Sequence, residues 1–129
     1  MVIISQVYVP DAMAVGQQMV DAAEEMARRG WRVVAYTSNR GCDDPGIRFP
    51  SRERRNGVDV HRLPFSSFGK TSIVVRLFAQ SLFLAQAVLR SVCVRHLSVA
   101  VTTTSPPFGG IAGSFLAMVR RGATSSIWR

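Results

Sequence analysis

Gly16 opens a helical pattern a few residues after a β-rich apolar run and a Pro10-Asp11 break, a placement that suits an anion. The first N–H groups of a helix have no partner inside it, the helix dipole is positive there, and a glycine lets a ligand approach the backbone. Gln17 follows it, and Asp11 lies in the same loop as either a helix cap or a ligand to sugar hydroxyls. A second polar group, Thr102-Thr103-Thr104-Ser105, closes another β-rich run, and its hydroxyls can bind a polar ligand or cap the helix that follows Pro106-Pro107. Gly16 can equally be a glycine that only permits a tight turn.

No GxGxxG or GxxxxGK[ST] pattern follows the first run, so neither a dinucleotide fingerprint nor a Walker phosphate loop is present. No Ser/His/Asp set, carboxylate pair or metal-ligand spacing brings an acid, base or nucleophile into one site, so catalytic residues stay unassigned and no metal is expected. His61 falls on the outward side of an alternating run and His96 in a short turn, and both read as solvated side chains. Cys42 and Cys93 are far apart without a zinc or disulfide pattern, so a reducing compartment is the expectation.

The elements that must position these residues alternate in type. Val2 to Val9 reads as a strand, and from Val15 a helical stripe of Val15, Met19, Ala22, Ala23 and Met26 runs to Gly30, with Glu24–Arg28 and Glu25–Arg29 pairs on its outer side. Trp31 to Thr37 reads as a second strand, parallel to the first through a right-handed crossover. Ser38 to Asn56 reads as a long exposed loop, and Val58 to Leu63 as a strand with one wet face, suited to a sheet edge.

A helix capped by Thr71 or Ser72 is expected to run to about Val94, with Arg76, Gln80, Phe83, Ala87 and Arg90 outward. Its uncharged stretch from Leu77 to Leu89 falls short of the roughly 20 residues that span a bilayer, so it is not expected to cross one. Leu97 to Val101 reads as a fourth strand, Gly109 to Arg121 as a third helix stopped at Gly122, and Ser125 to Arg129 as the beginning of another strand. The fold expected is α/β, a Rossmann-like doubly wound and mostly parallel sheet with helices on both faces and strand order 3-2-1-4. Its switch point would bring Pro10–Gly16 and Thr103–Gly110, hence Asp11, Gly16, Gln17, Thr104 and Ser105, toward one crevice.

A chain of 129 residues with 47% hydrophobic residues can form one domain with its own core. Its formal charge of +8, with one lysine among sixteen basic residues, attracts anions, although arginine-for-lysine usage also follows from a GC-rich genome. Nucleic acid is a poor candidate partner. Among Arg40 to Arg55 the only aromatic is Phe49, beside Asp43, Asp44 and Glu53, so the basic segment lacks a stacking platform.

SQVYVPDAMAVGQQMVDAAEEMARRGWRVVAYTS, RGCDDP, SRERRNGVDVHRLPFSSFGK and TTTSPPFGG, in that order, resemble the N-terminal domain of family 4 glycosyltransferases of the GT-B fold. Ala14-Val15 departs from the glycine pair common in that family, as do Trp31, where a His is common, and Val9, where an aromatic or proline is common. The resemblance covers nearly the whole chain. It implies a partial, acceptor-side Rossmann-like domain over residues 1–129, with Gly16 and Gln17 near donor phosphates and a C-terminal donor-binding domain lying outside the sequence.

The reaction implied moves a sugar from a nucleotide-sugar donor to a glycan or lipid-linked acceptor in bacterial surface polysaccharide synthesis, with retention and without a resident cofactor. It further implies a cytoplasmic chain, peripheral on the inner membrane face, and inactive alone as a truncated piece. The alternatives are a non-catalytic subunit or remnant that pairs with a separate donor-binding chain, and a basic nucleic-acid-binding module.

Overall fold

A computed structural model describes residues 1–10, 14–41, 44, 46–64, 72–94, 96–103, 108–120 and 124–128, the side chains of 127 and 128 excepted. The chain folds as β1 (Val2–Ile4), α1 (Ala14–Arg28), β2 (Val33–Ser38), β3 (Arg52–Arg55), β4 (Val58–Leu63), α2 (Ile73–Val92), β5 (Val99–Thr103), α3 (Gly109–Val119) and β6 (Thr124–Trp128). One six-stranded sheet runs β3-β4-β2-β1-β5-β6. All neighbours are parallel except β3 with β4. The expected 3-2-1-4 order is present as β4-β2-β1-β5, extended by one strand at each edge.

Alternate residues of β1, β2, β4 and β5 feed two cores, as the pleat requires. Ile3, Val33, Ala35, Val58 and Val60 pack with Met19, Val20 and Ala23 of α1. Val2, Ile4, Val34, Tyr36 and Ala100 pack on the other side with Phe83, Leu84 and Ala87 of α2 and Ala112 and Leu116 of α3. This is a mixed, mostly parallel α/β sheet wound on both faces, compatible with a Rossmann-like fold.

The end of α1 follows the sequence closely. Gly30 takes φ 86°, its N–H donates to the Ala27 carbonyl, and the Trp31 N–H donates to the Met26 carbonyl. That pair of bonds is a Schellman stop. The buried stripe is Gly16, Met19, Val20 and Ala23, rotated from the expected one, so Val15 faces solvent. Glu25 pairs with both Arg28 and Arg29, leaving Glu24 to pair with Arg55 instead of Arg28.

Three other expectations are corrected. The first strand ends at Ile4, because Ser5 turns its hydroxyl onto the Val7 carbonyl, although Val7, Tyr8 and Val9 stay buried beyond it. The stretch 38–56 is not wholly a loop, since its end forms β3. Asn56 and Gly57 both take positive φ, 46° and 84°, as a two-residue primed hairpin turn requires. β4 is therefore covered by β3 and is not an edge.

The third correction concerns α2. Phe83 and Ala87 face the sheet, fully buried, while Ile73, Val74, Leu77 and Phe78 of the first turns are exposed. Length and composition would let this 20-residue helix cross a membrane, since Arg76 and Arg90 lie near its ends, where long side chains snorkel to an interface. A core helix passes the same test, and Phe83, Leu84 and Ala87 seat this one on the sheet. Ser72 occupies the cap position without a side-chain cap bond. Thr71, and the Gly122 expected to stop α3, lie outside the described residues.

Candidate functional site

β1 and β5 are neighbours, with Ile4 beside Thr102, and the chain leaves them toward different sides of the sheet. That is the topological switch point, where open α/β sheets leave a crevice beyond the strand ends. Gly16 reaches this region but packs inward. A Cβ added there would meet Val7 Cγ1 at 3.3 Å and Tyr8 Cα at 3.6 Å, so the position holds α1 close to the segment after β1. Gln17, next to it, is exposed. Asp11, Thr104 and Ser105 lie outside the described residues.

The preceding threonines are not open to a ligand. Thr102 and Thr103 are buried, and the Thr102 hydroxyl has no hydrogen-bond partner among the described residues. α3 starts directly on this strand end: a Cβ on Gly109 would lie 2.4 Å from the Thr103 carbonyl oxygen, and one on Gly113 3.3 Å from Thr102 Oγ1. Small residues at four-residue spacing bring this helix against the sheet, as their spacing suggests.

The structure adds a residue that the sequence reading passed over. Arg62 lies at the carboxyl end of β4 with its side chain 1% exposed. Its Nη2 donates to the Val9 carbonyl at 2.8 Å and to Glu53 Oε2 at 3.0 Å, and its guanidinium stacks on Phe49 with 4.8 Å to the ring centroid. One buried cation thus ties the segment after β1 to the β3–β4 hairpin. The signal was present in the sequence. Val58, Val60 and Arg62 share one phase of the alternation, so a cation stands where the pattern calls for an apolar side chain.

Tyr8 sits beside this clamp, 2% exposed, with its hydroxyl lacking a partner among the described residues. Burial, reinforced by Glu24, pushes its phenol up to about 12. Because the folded value exceeds the ordinary one near 10, the native state keeps the proton that the unfolded chain releases as pH rises. Stability therefore falls between about pH 10 and 12, by up to roughly 2 kcal/mol after allowance for solvent screening. Tyr8→Phe is expected to remove that component of the alkaline loss and to raise stability at neutral pH by about 1 kcal/mol, because an unpaired buried hydroxyl disappears. Urea unfolding at pH 7, 10 and 11.5 checks both; a loss of stability at pH 7 would mean that the hydroxyl is paired.

Among the described residues no group of three or more His, Cys, Asp or Glu side chains could hold a metal ion. His61 is half-buried against the Tyr36 ring, edge to face with 5.6 Å between centroids, whereas His96 is exposed. His61 is thus not the freely solvated side chain that its alternation suggested. No protein-family model, curated protein or solved structure matches this chain. The class defined by the fold is an α/β domain with a six-stranded, mostly parallel sheet whose chain reverses between β1 and β5.

Proposed function

We propose that the chain is the acceptor-side domain of a sugar-transferring enzyme of the GT-B type, working with a donor-binding domain. The observation that carries the reading is the order of four sequence stretches resembling family 4 glycosyltransferases, laid along a sheet whose core order is β4-β2-β1-β5. In such a sheet the loops after β1 and β5 flank the switch point, and Asp11, Gly16, Gln17, Thr104 and Ser105 belong to those two stretches. Their role here is to hold acceptor and donor phosphate. The donor is a nucleotide-sugar and the acceptor a glycan or lipid-linked precursor. The exposed Ile73, Val74, Leu77 and Phe78 beside Arg76 suit a chain that touches an anionic membrane while handling a lipid-linked substrate.

The reading makes a discriminating expectation for binding. A polyprenyl-diphosphate-linked sugar in detergent micelles should shift the backbone amide resonances of Gly16, Gln17 and Thr103 saturably. UDP and a UDP-hexose should bind the chain no tighter than inorganic pyrophosphate, because the nucleoside pocket belongs to the donor-binding domain. A nucleotide preference of about tenfold, some 1.4 kcal/mol, would place donor recognition in these residues and overturn the acceptor-side assignment. Absence of amide shifts with the lipid-linked sugar would overturn it as well.

A further inference from the structure

A second site lies on the α2 face of the sheet, built by strand register. Arg52 of β3 stands beside His61 of β4, and His61 beside Tyr36 of β2, so these three residues form one row across three strands. The next row on the same face carries Arg54, Asp59 and Val34. α2 covers the middle of this face with Phe83, Leu84 and Ala87, and its last turns bring Arg90 over the β4 side. What remains is a trough of about 670 Å³ lined by Arg32, Arg52, Arg90, His61, Tyr36 and Asp59, among others. That size suits a small polar ligand.

Its charge is unbalanced. Arg32, Arg52 and Arg90 form no ion pair among the described residues, and the carboxylate of Asp59 already has Arg54 at 3.8 Å. Three guanidinium groups around one concavity, with a single engaged carboxylate, repel one another until an anion joins them. Arginine forks match phosphate oxygens in geometry as well as charge. A bystander surface of arginines would be expected to scatter its cations or interleave them with acids, as α1 does with Glu24 and Glu25.

We infer that this trough is a binding site for a small phosphate compound of two or more negative charges, such as a diphosphate, separate from the switch-point crevice. Burial, then Arg52, and more weakly Arg90, hold the His61 imidazole below the ordinary value, against the opposing pull of Asp59. An anion between the arginines would cancel that repulsion and raise the value again. The site does not depend on the sugar-transfer reading.

Inorganic pyrophosphate, titrated at constant ionic strength while the His61 ring signals are followed by NMR, tests the inference, with the second imidazole assigned through His96→Gln. Saturable binding that raises the His61 pKa is expected. The double variant Arg52→Gln/Arg90→Gln should weaken binding at least about tenfold, while Arg28→Gln/Arg48→Gln, which removes the same charge elsewhere, should leave it within about twofold. All four arginines are exposed, so the variants are expected to fold. Equal weakening by both double variants would reduce the effect to net charge and overturn the site, as would a response that never saturates.

Discussion

Arg62→Leu is expected to lower the free energy of unfolding by about 3 kcal/mol, and Glu53→Ala by a comparable amount, measured by urea denaturation. The two losses have different causes. Leucine at 62 leaves the Val9 carbonyl without its donor and strips the Glu53 carboxylate of its partner, though Glu53, 30% exposed, regains part of its hydration. Alanine at 53 leaves a guanidinium that is 1% exposed with one carbonyl and the Phe49 ring as company. Replacing both partners by leucine should restore much of the loss, because an apolar pair avoids the desolvation cost that an ion pair must offset. A single-variant loss below about 1 kcal/mol would show the guanidinium to be hydrated in solution and remove Arg62 as the clamp between β1's following segment and the hairpin.

How far these features were legible depends on whether their signal is local. The strands β1, β2, β4 and β5 are apolar runs bounded by turn residues, and Gly30 marks a stop that its own backbone geometry explains. β3 reads Arg-Glu-Arg-Arg, mostly exposed, so no hydrophobic period announces it. It is held by its ladder to β4, and the one local clue was Asn56-Gly57, a hairpin signal lying at the end of a stretch otherwise rich in loop residues. In α2 both sides are apolar, so the periodicity identifies a helix without fixing its rotation; the sheet decides that Phe83 and Ala87 turn inward.

Sites assembled by register are harder still. The wet face of β4, Asp59 and His61, was visible as alternation, but Arg32, Arg52 and Arg90 come from three other parts of the chain. Their meeting requires β3 to pair antiparallel with β4 and α2 to return over the same face, and neither follows from the composition around each arginine. Arg62 is the opposite case. Its displacement from the charged phase of its own strand can be read from residues 58–62 without any tertiary information.

Gly109→Ala is expected to cost about 3 kcal/mol, or roughly 10 °C in Tm for a domain of this size, even though alanine favours a helix over glycine by up to about 1 kcal/mol. The obstacle is backbone. The new Cβ would sit 2.4 Å from the Thr103 carbonyl oxygen, and Thr103 pairs with Trp128 of β6 directly after Thr102, which is held beside Ile4 of β1, so the carbonyl has little room to withdraw. α3 must move instead. Doing so would lift Ala112 and Leu116 from the core they share with Phe83 and Leu84, and would loosen the seat of Gly113 on Thr102. Gly16 offers the contrast, since its added Cβ would meet the Val7 side chain at 3.3 Å, a neighbour able to give by a few tenths of an ångström. A Gly109→Ala protein as stable as the parent would mean that α3 does not rest on the end of β5 in solution.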